Sequence, residues 1–202
     1  MTRKTLFLAT CLWAFSCQSL DNVSETDPNG LKIEYSIDKK TRKKEGVFRR
    51  YFENGQIMEE ATYVHDLLDG ERKIFAQNGR LLSVENYRNG QYEGPFKAYA
   101  DDGKLEQEGQ YTANEMSGEW KTYYPGGQLK ETVTFANNLE NGPFKEYYPT
   151  GILKAEGSYS NGDNEDGELK EYLEDGSLFR TANCSQGRCT TTWKADTTRQ
   201  NK

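Results

Sequence analysis

The chain has a single histidine, His65, and that scarcity removes whole classes of chemistry. A serine-histidine-acid triad, a two-histidine metal site or a histidine general base would all have to use it. Its neighbours Val64 and Asp66 form no such constellation, so His65 reads as an exposed residue of an inter-repeat turn. The nucleophile-elbow, Walker and dinucleotide-binding signatures are absent as well. Aliphatic residues are few. Hydrophobic residues make up 34% of the 202 and mean hydropathy is −0.96, too little for a thick two-layer core. No apolar run approaches the roughly 20 residues that a spanning helix requires. Positive charge is in deficit, with 26 basic against 32 acidic residues, which disfavours a nucleic-acid partner because phosphate binding needs a positive surface. Cysteine is missing between Cys17 and Cys184.

What the chain does have is aromatic side chains, 12% of residues with 13 tyrosines, which argues against a disordered polar chain. Many rings with few aliphatics suit a thin sheet whose ring bodies are covered while hydroxyls stay wet. It also has glycine at a fixed spacing. Gly46, Gly70, Gly94, Gly118, Gly142 and Gly167 follow one another at steps of 24, 24, 24, 24 and 25 residues. Such self-similarity marks a repeat architecture. Counted from each opening glycine, position 2 holds Phe48, Arg72, Phe96, Trp120, Phe144 and Leu169. Position 5 holds Tyr51, Phe75, Tyr99, Tyr123, Tyr147 and Tyr172, position 11 is Ile or Leu, and position 17 is aromatic until Cys184. Only Arg72 and Cys184 break these columns.

Each unit reads as two short strands around a turn closed by a second glycine (Gly55, Gly79, Gly103, Gly127, Gly151, Gly176), where a left-handed residue is needed. On the second strand, positions 11 and 17 share parity, so Leu153 and Tyr159 are expected on one face. Positions 2 and 5 differ in parity, which leaves open a bulge or aromatics on both faces of the first strand. The one-residue insertion falls within residues 160–166, in a loop, where it flips no strand. The expected fold is all-β: an elongated, single-layer antiparallel meander of six hairpins, about 60 Å long.

The unit Gly-x-Phe-Lys-x-Tyr-Tyr-x-x-Gly-x-Leu-Lys, seen at Gly142–Lys154, resembles the MORN repeat, and most of all the bacterial variant often grouped with antitoxin components of toxin–antitoxin pairs. The resemblance spans residues 46 to about 184. It implies an extended β-scaffold for protein or lipid contact, with no chemistry of its own.

Position 3 is basic in every copy: Arg49, Lys73, Lys97, Lys121, Lys145 and Lys170. These form a candidate binding ladder for an acidic ligand. The reading preferred here is cross-strand pairing with acids such as Glu60, Glu108 and Glu156, worth about 0.2–1 kcal/mol per pair.

The ends carry the address. Residues 1–16 have the layout of a secretory signal, a short basic start followed by the apolar run Leu6–Phe15. Leu12-Trp13-Ala14-Phe15-Ser16-Cys17 resembles a bacterial lipobox, which implies acylation of Cys17 and stable anchoring. The alternative is plain secretion with Cys17 in a cleaved signal. Residues 17–30 read as a flexible tether and residues 31–45 as a lead-in strand with a basic turn. That turn, Lys39-Lys40-Thr41-Arg42-Lys43-Lys44, is taken as a solvated turn that discourages edge pairing; contact with anionic headgroups or an acidic partner is the other reading. Residues 46–189 are the repeats and 190–202 a polar tail. Cys184 and Cys189 flank a short Gly-containing loop and are expected to pair in an exported protein. The acidic stretch 161–167 has its glycine misplaced for a calcium loop. No metal, cofactor, nucleic acid or small-molecule substrate is expected.

The function these readings give is a non-enzymatic, membrane-anchored scaffold in the bacterial cell envelope that binds protein, with lipid as a second class of partner. The alternatives are an immunity or antitoxin-type protein that neutralises a toxin, and an envelope glycan hydrolase using paired carboxylates.

Overall fold

The computed structural model describes residues 19–196. Among them there is no helix, and hence none long and apolar enough to cross a membrane. Sixteen strands follow one another: β1 (Leu20–Thr26), β2 (Lys32–Asp38), β3 (Gly46–Tyr51), β4 (Ile57–Val64), β5 (Leu67–Phe75), β6 (Leu81–Arg88), β7 (Gln91–Tyr92) and β8 (Gly94–Tyr99). Then come β9 (Leu105–Thr112), β10 (Glu115–Tyr123), β11 (Leu129–Ala136), β12 (Leu139–Tyr147), β13 (Leu153–Tyr159), β14 (Gly167–Tyr172), β15 (Leu178–Ser185) and β16 (Arg188–Lys194). They form one sheet in sequence order, every pairing antiparallel, with β7 a short offshoot beside β6. The expected meander is what the chain forms.

Two kinds of turn alternate. Within each unit, a loop such as Phe52–Gln56 closes with Gly55 N donating to Phe52 O and Phe52 N donating to Gln56 O. Gly55 sits at φ +81°, a conformation that costs a glycine nothing. Between units a pair of residues at positive φ makes the turn: His65-Asp66, Asn89-Gly90, Ala113-Asn114, Asn137-Asn138 and Gln186-Gly187 as two-residue connections, and Asn161-Gly162 within the longer loop 160–166. This is the mirror-image hairpin turn whose twist matches that of the flanking strands. Successive turns of this kind are also clamped to the unit before. Asp66 N, Gly90 N, Asn114 N, Asn138 N, Gly162 N and Gly187 N donate to carbonyls of residues 44, 68, 92, 116, 140 and 165.

Register settles the question of faces. Phe144 lies opposite Gly157 and Glu146 opposite Ala155, but Tyr147 lies opposite Leu153, so one residue, Lys154, is extra. The same shift recurs in all six hairpins, skipping Met58, Leu82, Glu106, Lys130, Lys154 and Phe179. A bulge on the second strand therefore moves position 11 to the face opposite position 17, so Leu153 and Tyr159 do not share a side. The first strand runs regularly and carries aromatics on both faces, position 2 on one and position 5 on the other. The inserted residue follows the Asn161-Gly162 turn, between it and β14, as the loop assignment required.

Two boundaries need correction. The expected tether over 17–30 is, within its described part, the strand β1, paired with β2 from Leu20↔Asp38 to Thr26↔Lys32. Its polar side chains find partners across the pair: Ser36 Oγ donates to Asn22 Oδ1 at 2.9 Å and Tyr35 OH to Glu25 Oε1 at 2.8 Å. The expected polar tail from 190 begins as β16, paired with β15, with Thr181 and Thr192 hydroxyls bonded at 2.8 Å. Polar composition hid both strands, because their ladders are held by backbone and hydroxyl bonds more than by apolar burial. The signal segment, Cys11 and Cys17 lie outside the described residues.

Candidate interaction surface

One face of the sheet carries the core. In four hairpins the large side chain at position 2 stands across the ladder from a small residue at position 15, with Phe48 opposite Ala61, Phe96 opposite Gly109, Phe144 opposite Gly157 and Leu169 opposite Ala182, while Trp120 stands opposite Val133. Phe48, Phe144 and Trp120 are buried although the sheet is one layer thick. The Phe144 ring lies over Gly157 and the Trp120 ring over Gly109 of the preceding hairpin, and the rings pack against one another. Phe144 and Tyr159 stack at 4.3 Å, and Trp120 meets Phe96 at 5.5 Å and Tyr111 at 5.2 Å. A Cβ on Gly109 would fall inside the Trp120 indole. Burial pushes the phenol pKa of Tyr63, Tyr111 and Tyr159 up.

Arg72 breaks this column, and the structure shows how the break is matched. Opposite it stands Glu85, in the small-residue position. Arg72 Nε donates to Glu59 at 2.7 Å and its NH1 to Glu85 at 2.8 Å. Arg50 NH1 reaches Glu59 at 3.1 Å, Arg50 Nε lies 3.1 Å from Asp27, and Tyr87 OH donates to Glu85 at 2.9 Å. Asp27, Glu59 and Glu85 are all buried. Two guanidinium groups thus neutralise most of three buried carboxylates, so the first two units are joined by charge where later units use rings. Sequence reading saw Arg72 as an anomaly; the signal it missed was Glu85 in the same register row.

The opposite face bears the basic column, and every member falls in the expected register. Arg49, Lys97 and Lys145 lie across from Glu60, Glu108 and Glu156. Arg49 pairs with Glu60 at 2.8 Å and Lys97 with Glu108 at 3.9 Å. Lys73, Lys121 and Lys170 pair along their own strands with Glu71, Glu119 and Glu168 at 2.7, 3.4 and 3.0 Å. The position 5 tyrosines join in: Tyr51 OH donates to Glu34, Tyr123 OH to Glu108 and Tyr172 OH to Glu156 at 2.6, 2.7 and 2.9 Å. Burial and the Glu108 carboxylate push the Tyr123 phenol up to about 12. The column is therefore an alternating mixed-charge surface, half exposed, and not a bare cationic strip.

Elsewhere the surface offers shallow chemistry. Glu131 and Glu146 are direct cross-strand neighbours on the ring-bearing face. Burial and the negative charge of Glu146 raise the Glu131 carboxyl, while Lys154 holds Glu146 at 2.6 Å. No cleft encloses them. The grooves are open, such as one of 270 Å³ lined by Leu105, Tyr123, Tyr124 and Lys130 and one of 540 Å³ near Asn161 and Gln186. Among the described residues no cluster of three or more metal-ligating side chains occurs. His65 sits in its turn at φ 52°, its N–H donating to Glu45 at 3.2 Å. Cys184 and Cys189 form a disulfide across the last hairpin, where they are direct ladder partners.

The family model described as MORN repeat variant matches residues 44–65, 68–89, 92–113, 116–137 and 140–161. The sixth hairpin, with its cysteines and the inserted residue before it, continues the sheet beyond the matched copies. No curated protein matches the chain. Among solved structures, the crystal structure of a GtfA/B complex bound to UDP and GlcNAc is similar over 68% of this chain, at 13% identity and a TM-score of 0.28. The aligned part spans 25% of that protein's length.

Proposed function

This chain belongs to the MORN repeat variant family, and we propose that it is a non-enzymatic scaffold anchored to a membrane of the cell envelope through acylated Cys17. Its faces recognise protein partners. One observation carries this reading: twelve strands of six hairpins lie in an unbroken single layer, so nearly every side chain stands on an open face. A catalyst needs reacting groups held in a water-excluding site. Among the described residues the grooves are open, and most of the basic column is paired with acids. A repeat array presents surface in proportion to its copy number, which suits recognition of something extended or of several things at once.

The Cys184–Cys189 disulfide is compatible with export, since such bonds persist in oxidising compartments. The family's grouping with antitoxin components favours nothing specific here, because an exported chain would meet only an exported toxin. Purification of the full chain from detergent-solubilised membranes tests the reading. Recovery with several envelope proteins supports a scaffold. One stoichiometric partner whose toxicity the chain suppresses would replace it with an immunity role. Glycan hydrolysis lost on Glu131→Gln would replace it with an enzyme.

A further inference from the structure

The register of the first two strands brings together two features that are far apart in sequence. Leu20 lies opposite Asp38, and Lys39 N donates to Ser19 O at 3.0 Å. The chain therefore enters the sheet beside the basic β2–β3 turn. Cys17 stands two residues before Ser19, a reach of at most about 7 Å. Whatever holds Cys17 holds the basic turn next to it.

That turn is built to present charge. The Asp38 carboxylate accepts from Lys40 N, Thr41 N and Thr41 Oγ1 at 2.9, 2.7 and 3.0 Å, and Arg42 takes the left-handed conformation at φ 61°. Lys39, Lys40, Arg42 and Lys43 are exposed. Lys39 and Arg42 share Asp21 at 3.4 Å each, and Lys44 lies over the rings of Tyr35, Phe48 and Tyr63. Lys40 and Lys43 have no carboxylate partner among the described residues, although the chain as a whole is acidic. Later turns along the same edge are mixed and acidic in sum, carrying Asp66, Glu115, Asp163, Glu165 and Asp166 against Arg88 and Arg188, and none holds a second basic run. Among the described turns of this edge, the corner at the point of chain entry holds the largest excess of positive charge.

We propose that the β2–β3 turn is a docking surface for anionic phospholipid headgroups of the membrane that holds Cys17. This rests on the anchoring reading above and fixes the orientation that reading leaves open. Lys40 and Lys43 seat on the headgroups, the acidic turns are repelled, and the array stands with its first corner down and its later repeats directed away. The six-residue basic run, taken from sequence alone as a solvated turn, acquires this role from its position beside Ser19. Each lysine near an anionic surface strengthens attachment about fivefold, within a Debye length of about 8 Å at physiological salt.

The test is partitioning of the full-length Cys17→Ser chain, which cannot be acylated, onto vesicles of phosphatidylcholine alone or doped with phosphatidylglycerol. Binding to the doped vesicles is expected to be stronger and to fall with salt. Lys40→Gln with Lys43→Gln in the same background is expected to weaken it by about 25-fold, with unchanged binding to phosphatidylcholine. Neither side chain makes an ion pair, so folding, checked by the melting midpoint, is retained. Equal partitioning of the two forms onto doped vesicles overturns the proposal. A wild-type mature chain without an acyl mass would sink the anchoring reading separately; the headgroup contact is decided by the partition curves.

Discussion

Single residues carry this fold where a ring needs empty space or a buried charge needs a partner. Gly109→Ala places a methyl in the Trp120 indole, and overpacking of this kind costs about 1–3 kcal/mol, readable as a lower denaturation midpoint at constant slope. Arg72→Phe restores the ring column but leaves Glu85 buried opposite it, a loss of about 3–5 kcal/mol. Adding Glu85→Gly rebuilds the arrangement seen at Phe96 and Gly109, and the double variant should recover a large part of that loss; if the losses simply add, the column and the ionic pair are not alternatives. Glu131 gives a pH signature. Its carboxyl is raised above the ordinary 4.5 by burial and by Glu146, so its favourable contribution is complete below about pH 4.5 and is lost as pH rises through the folded value. Glu131→Gln should raise the melting midpoint at pH 7, by up to about 2 °C, and give no gain at pH 4. The glycine columns, ring columns and basic column were all legible because each repeats one chemistry at one spacing. The bulge was not, since its residues Met58, Leu82, Glu106, Lys130, Lys154 and Phe179 share no chemistry that a pattern could reveal.

Hairpins are the elements of this molecule, and each is tied to the next by two devices. The ladder itself is one. The other is the clamp between successive two-residue turns, in which Asn114 Oδ1 accepts from Tyr92 N and Asn138 Oδ1 from Met116 N at 2.7 and 2.8 Å. At His65-Asp66 and Ala113-Asn114, which lack glycine, the Asp66 and Asn114 side chains accept from backbone N–H groups of the preceding turn and hold the positive-φ pair. The first and last strands escaped sequence reading for a related reason. Ser, Thr, Asn and Asp look like linker residues, yet at a sheet edge they pair well through hydroxyls and amides. Among the described residues β16 is the outermost strand at the far end, and the disulfide ties it to β15. Cys184→Ser with Cys189→Ser should cost about 2 kcal/mol. Hydrogen exchange should quicken in residues 178–194 and stay unchanged in 46–65, since each hairpin contacts only its neighbours.

At the scale of the whole molecule, fifteen strands in sequence order span roughly 65–70 Å, with a ring-filled face, a mixed-charge face and one cationic corner. The fold was legible from periodicity because a meander needs only local pairing, and, the offshoot β7 aside, each strand's neighbour in space is its neighbour in sequence. Function was less legible, because recognition on an open face leaves no fixed residue spacing. What the register adds is a direction: the described chain enters at the basic corner, at Ser19, two residues in sequence after the cysteine that would carry the lipid. On the proposed anchoring, that direction would point the later repeats away from the membrane. The intact mass of the mature chain, taken from membranes, tests this most directly. The account predicts a chain that begins at Cys17 and carries acyl groups; a chain that retains Met1, or begins beyond Cys17 without lipid, contradicts it.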